Sequence, residues 1–168
     1  PVLYPGQTIV ISYRGEKTAT LSVNGYAYPY INKGLLRATI PYLTYLTPFT
    51  YGITTQGGLV DLDDQVLIAM AKDGGTAPLM HLSTLTEEGG FSNDLAHLVL
   101  TDMTVQNTLI GNVERQLAER GYRGLDVDFE FVFPEDALAY AQFIGNLAQR
   151  LNPLGYPVIA ALAPKTSA

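Results

Sequence analysis

Gly124-Leu125-Asp126-Val127-Asp128-Phe129-Glu130-Phe131 is the stretch that decides how this 168-residue chain is read. On an extended strand successive side chains point to opposite faces. Asp126, Asp128 and Glu130 therefore project one way, and Leu125, Val127, Phe129 and Phe131 the other. The apolar set suits a face covered by helices. The acidic set repeats at roughly 6.6 Å, and burying three carboxylates in a row is costly unless they have work to do. Like charges at this spacing cannot all ionise cheaply, so at least one carboxyl keeps its proton near neutral pH. A protonated carboxylic acid is what a glycosidic oxygen needs from its leaving-group donor. Glu130, nearest the C-terminal end of the strand, is the candidate donor. Asp128, one pleat deeper, can hydrogen-bond Glu130 or a substrate group. Asp126, deeper again, can share a proton with Asp128.

Outward from this strand the pattern alternates strand and helix. Strands are predicted over 18–28, 43–51, 78–85, 124–132 and 156–163, and helices over 33–40, 63–72, 101–120 and from Pro134 to Pro153. In the 101–120 helix Val105, Leu109, Val113 and Leu117 recur at spacing four, and Gly121 follows its end as a C-terminal glycine should. Pro134-Glu135-Asp136 opens the next helix, with carboxylates on the positive end of its dipole. Its expected buried face is Leu138, Ala141, Phe143 or Ile144, Leu147 and Leu151. Five strands alternating with helices make an α/β protein with a parallel sheet. An open doubly wound sheet and part of a (β/α)8 barrel both fit. A whole barrel takes about 250 residues.

Bulk composition narrows the function. Hydrophobic residues make up 47% of the chain, the net charge is −6 and there is no cysteine. No apolar run approaches the ~20 residues of a membrane span. No basic cluster offers a surface for nucleic acid or an anionic membrane. Thiolate chemistry, disulfides and Cys-ligated zinc are excluded, and two histidines are too few for a His-rich metal site.

The acidic row resembles the DxxDxDxE signature of glycoside hydrolase family 18, which includes chitinases and related N-acetylglucosaminidases. Its last three acids fall on Asp126, Asp128 and Glu130, and Arg123 stands where the first acid would be. The segment Val23-Asn24-Gly25-Tyr26-Ala27-Tyr28-Pro29 is similar to the first barrel strand of the LysM-linked, spore-cortex-lytic branch. Leu82-Ser83-Thr84-Leu85-Thr86-Glu87 with Gly89-Gly90-Phe91-Ser92 is similar to its third strand and loop. Phe131 to Asp136 and Ala161 to Thr166 resemble the segments after strands four and five. Tyr4-Pro5-Gly6-Gln7-Thr8-Ile9-Val10-Ile11 resembles the close of a LysM module. The resemblance implies a LysM-like tail over 1–12 and, over 18–168, strands one to five of a (β/α)8 TIM barrel. It implies retaining hydrolysis assisted by the substrate's own 2-acetamido group, without cofactor or metal. Glu130 would be the acid and then the base, Asp128 would steady the acetamido nitrogen, and Asp126 would take up the proton balance. The substrate would be peptidoglycan or a chitin-like N-acetylated glycan, met at the cell wall or spore of a Gram-positive bacterium. The family's strand-six Met-x-Tyr-Asp/Glu segment and strand-eight Trp are absent from these residues. Low turnover and self-association are therefore expected of this chain on its own.

Other uses of the acidic row stay open: a solvent-facing edge strand, a hard-cation site, or an Asp-x-Asp phosphotransferase with Asp126 as nucleophile. A non-catalytic glycan-binding module is a further alternative. Tyr26, Tyr28, Phe49 and Tyr51 near strand ends are candidate sugar-stacking aromatics, with ordinary packing as the alternative for each. Ser83 is a candidate lining residue. His81 shares its parity and reads as a satisfied core histidine, and His97 as a surface one.

Overall fold

The computed structural model describes residues 4–8, 19–130 and 132–162. Strands β1 (Asn24–Ala27), β2 (Tyr45–Pro48) and β5 (Ala77–Pro78) form one parallel sheet. Strands β6 (Met80–Ser83), β7 (Leu125–Asp128) and β8 (Val158–Ala160) form another. The two sheets share a strand broken only at Leu79. Leu79 N–H donates to Leu46 C=O at 2.9 Å, and Met80 N–H to Gly124 C=O at 2.9 Å. The first half of that strand leans on β2 and the second on β7. Tyr51, beyond the end of β2, bridges in parallel to Leu82. Neighbours thus follow chain order throughout, without the reversal that marks a doubly wound sheet.

Helices α1 (Lys33–Thr39), α2 (Gln65–Asp73), α3 (Asn93–Thr101), α4 (Met103–Arg120) and α5 (Ala137–Leu151) form the crossovers. Leu125, Val127 and Phe129 share one core with Leu109, Val113 and Leu117 of α4 and with Phe143, Leu147 and Leu151 of α5. A second, smaller core joins Ala27, Leu36, Ile40, Leu46, Leu67 and Ala71. Gly121 closes α4 in the left-handed conformation, at φ 71°. At Gly124 the strand needs glycine for space, because a Cβ there would stand 2.7 Å from Pro157 C=O.

The opposite face of the sheet is polar and concave. Three inter-strand steps separate β1 from β7, about 14 Å if the sheet were flat. Yet Asn24 Nδ2 and Tyr26 Oη, on β1, both donate to Asp126 Oδ2 on β7 at 2.9 Å. The sheet must curl around its polar side for these groups to meet. No closed barrel forms among the described residues: β1 pairs with β2 alone and β8 with β7 alone.

Several expectations are corrected. The 18–28 strand is regular only over Asn24–Ala27. A hairpin of β3 (Gly52–Ile53) and β4 (Leu59–Val60), with strands too short to show a period, follows β2. The helix expected over 101–120 starts at Met103, behind Asp102, whose extended backbone and side chain cap α4, and the unpredicted α3 precedes it. On α5 Leu138 is 79% exposed and Ala141 is exposed, because the buried stripe starts a turn later at Phe143. Strand β7 is no edge strand, since β6 and β8 flank it. Of the LysM-like tail, the turn at Pro5–Gly6 is present, and Ile9 to Ser12 lie outside the described residues. So do Phe131 and the stretch from Ala163 to Ala168, with Lys165 in it. Among the described residues no helix is long and apolar enough to cross a membrane.

Candidate active site

The acidic row runs outward along β7. Asp126 is fully buried, Asp128 partly buried and Glu130, just past the strand's C-terminal end, exposed. Asp128 and Glu130 line a hollow of about 310 Å³ with Tyr26, Ala27, Tyr28 and Phe49. Aromatic rings build one wall of it. Tyr28 stacks on Tyr30 at 5.1 Å and meets Phe49 edge-on at 5.2 Å. A larger hollow of about 540 Å³, between α4 and α5, contains no carboxylate in its lining.

Asp126 anchors the inner end of the row. Asn24 and Tyr26 both donate to its Oδ2, and Asn24 Oδ1 in turn accepts from Thr47 Oγ1 at 2.7 Å. Its Oδ1 is buried with no hydrogen-bond partner among the described residues. Burial raises the Asp126 pKa. The Tyr26 hydrogen bond, the His81 charge and the Asn24 hydrogen bond oppose that rise, and the Asp128 charge adds to it. With both donors on Oδ2, Oδ1 is the oxygen left to carry a proton. The same burial, reinforced by the Asp126 charge, raises the Tyr26 phenol and keeps it a donor.

Register on the neighbouring strand sets His81 beside Asp126 and Ser83 beside Asp128. His81 is fully buried, with Nε2 3.3 Å from Asp128 Oδ2 and Nδ1 2.6 Å from Thr50 Oγ1. Thr50 Oγ1 lies 2.9 Å from Ser83 Oγ. Thr50, Asn24 and Thr47 belong to this face and were not singled out from sequence, and His81 was read only as a core histidine. Only the shared parity of His81 with Ser83 pointed to this face.

Of the residues expected to bind substrate, the structure brings Tyr26 to the hollow but gives its hydroxyl to Asp126. Ser83 is 1% exposed, bonded to Thr50, and is not among the residues lining the hollow. Tyr51 does not reach the hollow either. It lies in the core, where its hydroxyl and that of Tyr122 donate to the buried carboxylate of Asp64. Arg120 Nη1 completes that cluster 3.1 Å from Asp64 Oδ1. Regular alternation in β2 stops at Pro48, so parity with Phe49 no longer places Tyr51. His97 sits on α3 and pairs with Asp136 at 2.8 Å. Among the described residues no group of three or more acidic or imidazole side chains is arranged to hold a metal ion.

No family model matches the chain. Among curated proteins it is similar to a cortical fragment-lytic enzyme of Bacillus anthracis, 37% identical over 161 residues. That match takes in 92% of this chain and 37% of the relative. Among solved structures it is similar to the Bacillus cereus spore cortex-lytic enzyme SleL, with TM-score 0.79 and 36% identity, over 88% of this chain and 35% of that one. A chitinase from Chromobacterium violaceum shares the fold, with TM-score 0.73 and 23% identity, over 83% of this chain and 45% of that one. The chain spans little more than a third of the length of the curated relatives it matches first. Its mixed α/β fold is thus that of spore cortex-lytic and chitinase structures, which are of TIM-barrel type.

Proposed function

We propose that this chain carries the acid of a retaining glycoside hydrolase, of family 18 type, that cleaves N-acetylglucosaminyl bonds in peptidoglycan of the spore cortex or cell wall. The observation that carries the reading is the row Asp126–Asp128–Glu130, graded from buried to exposed and ending at an aromatic-walled hollow. The likeness to cortical fragment-lytic enzymes supports the substrate class.

In this reading the acetamido oxygen of the substrate attacks the anomeric carbon. The bond to the leaving oxygen breaks as Glu130 delivers its proton there. The ring closes to an oxazolinium ion, whose positive charge and N–H face the Asp128 carboxylate. Glu130, now a carboxylate, takes a proton from water as that water attacks the anomeric carbon. The acetamido group is released, the configuration is retained, and Glu130 is again an acid. Asp126, held in place by Asn24 and Tyr26, buffers charge at the base of the row.

The test is Glu130→Gln in the protein that carries this chain, assayed on cortex-type peptidoglycan fragments. Turnover should fall about 10²- to 10⁴-fold, with substrate binding retained. Undiminished turnover would remove Glu130 from its role.

A further inference from the structure

One buried titratable group on the polar face has no task in the hydrolysis just described. His81 is clamped between the rings of Phe49, 4.7 Å away, and Tyr26, whose edge meets it at 5.3 Å. Its Nδ1 faces Thr50 Oγ1, and its Nε2 faces Asp128 Oδ2. The Nε2 contact is within ion-pair distance but outside hydrogen-bond alignment, so this buried nitrogen has no formal hydrogen-bond partner. Asp128 Oδ1 is likewise buried and without a partner.

Proton counting fixes the arrangement. A bare Nε2 lone pair opposed to an ionised Asp128 at 3.3 Å would be repulsive in a buried site. An Nε2–H there is attractive. Nδ1 of the neutral ring is then an acceptor, and the Thr50 hydroxyl donates to it. If His81 takes a second proton, on Nδ1, Thr50 becomes the acceptor there and turns its own O–H to donate a hydrogen bond to Ser83 Oγ or the Tyr51 carbonyl, 2.9 and 3.1 Å away. The hydroxyl can serve either state, and in both Nε2–H points at Asp128.

We propose that His81 is the positioning residue of this site: through Nε2–H it holds Asp128 as an oriented anion, with Thr50 fixing the tautomer. This rests on the reading of Asp128 as the group that meets the acetamido N–H, because only an ionised Asp128 accepts that hydrogen bond with both oxygens free of protons. Among the described residues, the charged or titratable groups facing His81 are Tyr26 from β1 and Asp126 and Asp128 from β7. The segment after β2 contributes Phe49 and Thr50, and β6 contributes Ser83, none of which carries charge.

The chain has two histidines, so ¹⁵N imidazole spectra contain two signals, and His97 beside Asp136 is an internal control for the fold. In the unmodified chain at neutral pH, Nε2 of His81 should be protonated. Asp128→Asn should shift the His81 tautomer balance away from Nε2–H, because the ionised acceptor is gone, while the His97 signals stay put. Thr50→Val should redistribute the neutral tautomers. A bare Nε2 in the unmodified chain would overturn the proposal, and that measurement needs no variant to fold. So would an unchanged His81 tautomer balance in Asp128→Asn with the His97 signals unchanged. Glu130→Gln should leave the His81 tautomer balance unchanged. Its effect on hydrolysis tests the proposed function instead, so the two readings fail on different measurements.

Discussion

Asp126 shows how one residue's surroundings become a pH dependence. Burial raises its pKa above the ordinary 3.8, so the folded chain holds this proton more tightly than the unfolded chain. Stability from this group is full below that ordinary value and is lost as pH rises through the higher folded value. Asp126→Asn, which cannot ionise, should therefore flatten the decline of the urea midpoint as pH rises above the ordinary carboxylate value. Equal slopes in both proteins would show that other groups set the dependence. The acidic row itself was legible at this scale, because a period of two on a strand states which face each residue takes. His81 was not. A lone histidine on an apolar strand looks the same whether its neighbour is a methyl group or a carboxylate, and only strand register distinguishes the cases.

Among the elements, α4 owes its start to Asp102. The side chain accepts from Thr104 N–H at 2.8 Å and Val105 N–H at 3.2 Å, satisfying donors the helix cannot. Asp102→Ala should cost about 1 kcal/mol, read as a lower urea midpoint at unchanged m-value. The leucine and valine stripe of α4 was legible because it repeats over eighteen residues. Helix α3 was not, because nine residues carry an apolar face for little more than two turns. Two-residue strands such as β3 and β4 lie below any period, and the burial of Tyr51 was not legible for a related reason. A strand's parity holds only as far as the strand does, and its aromatic character does not reveal that Asp64 waits behind it.

At the scale of the molecule the arc has two outer margins. Among the described residues β1 and β8 each have one neighbour, and Leu21 at 82%, Val23 at 43%, Ile159 at 37% and Leu162 at 77% are exposed beside them. Unpaired strand margins with apolar flanks recruit other chains. Light scattering of the 168-residue chain should accordingly report a mass above that of one copy. A monomer that unfolds cooperatively would contradict this. Fold class was legible from the alternation of strands and helices, but the choice between open sheet and barrel arc was not, because periodicity says nothing of curvature. It took the family resemblance to favour the arc, and the contact between Tyr26 and Asp126 to show that the sheet curls.

That contact also has a bearing on time. Its partners stand 100 residues apart, and the companion bond from Asn24 spans 102. Closing so long a loop carries an entropic cost that local helices escape, and structures tied by distant contacts form slowly. During synthesis Tyr26 leaves the ribosome long before its acceptor has been translated. The acidic face is therefore among the last parts of the molecule to mature: helices can form and pack early, but the carboxylate row takes its final shape only when the first strand and the seventh have found each other.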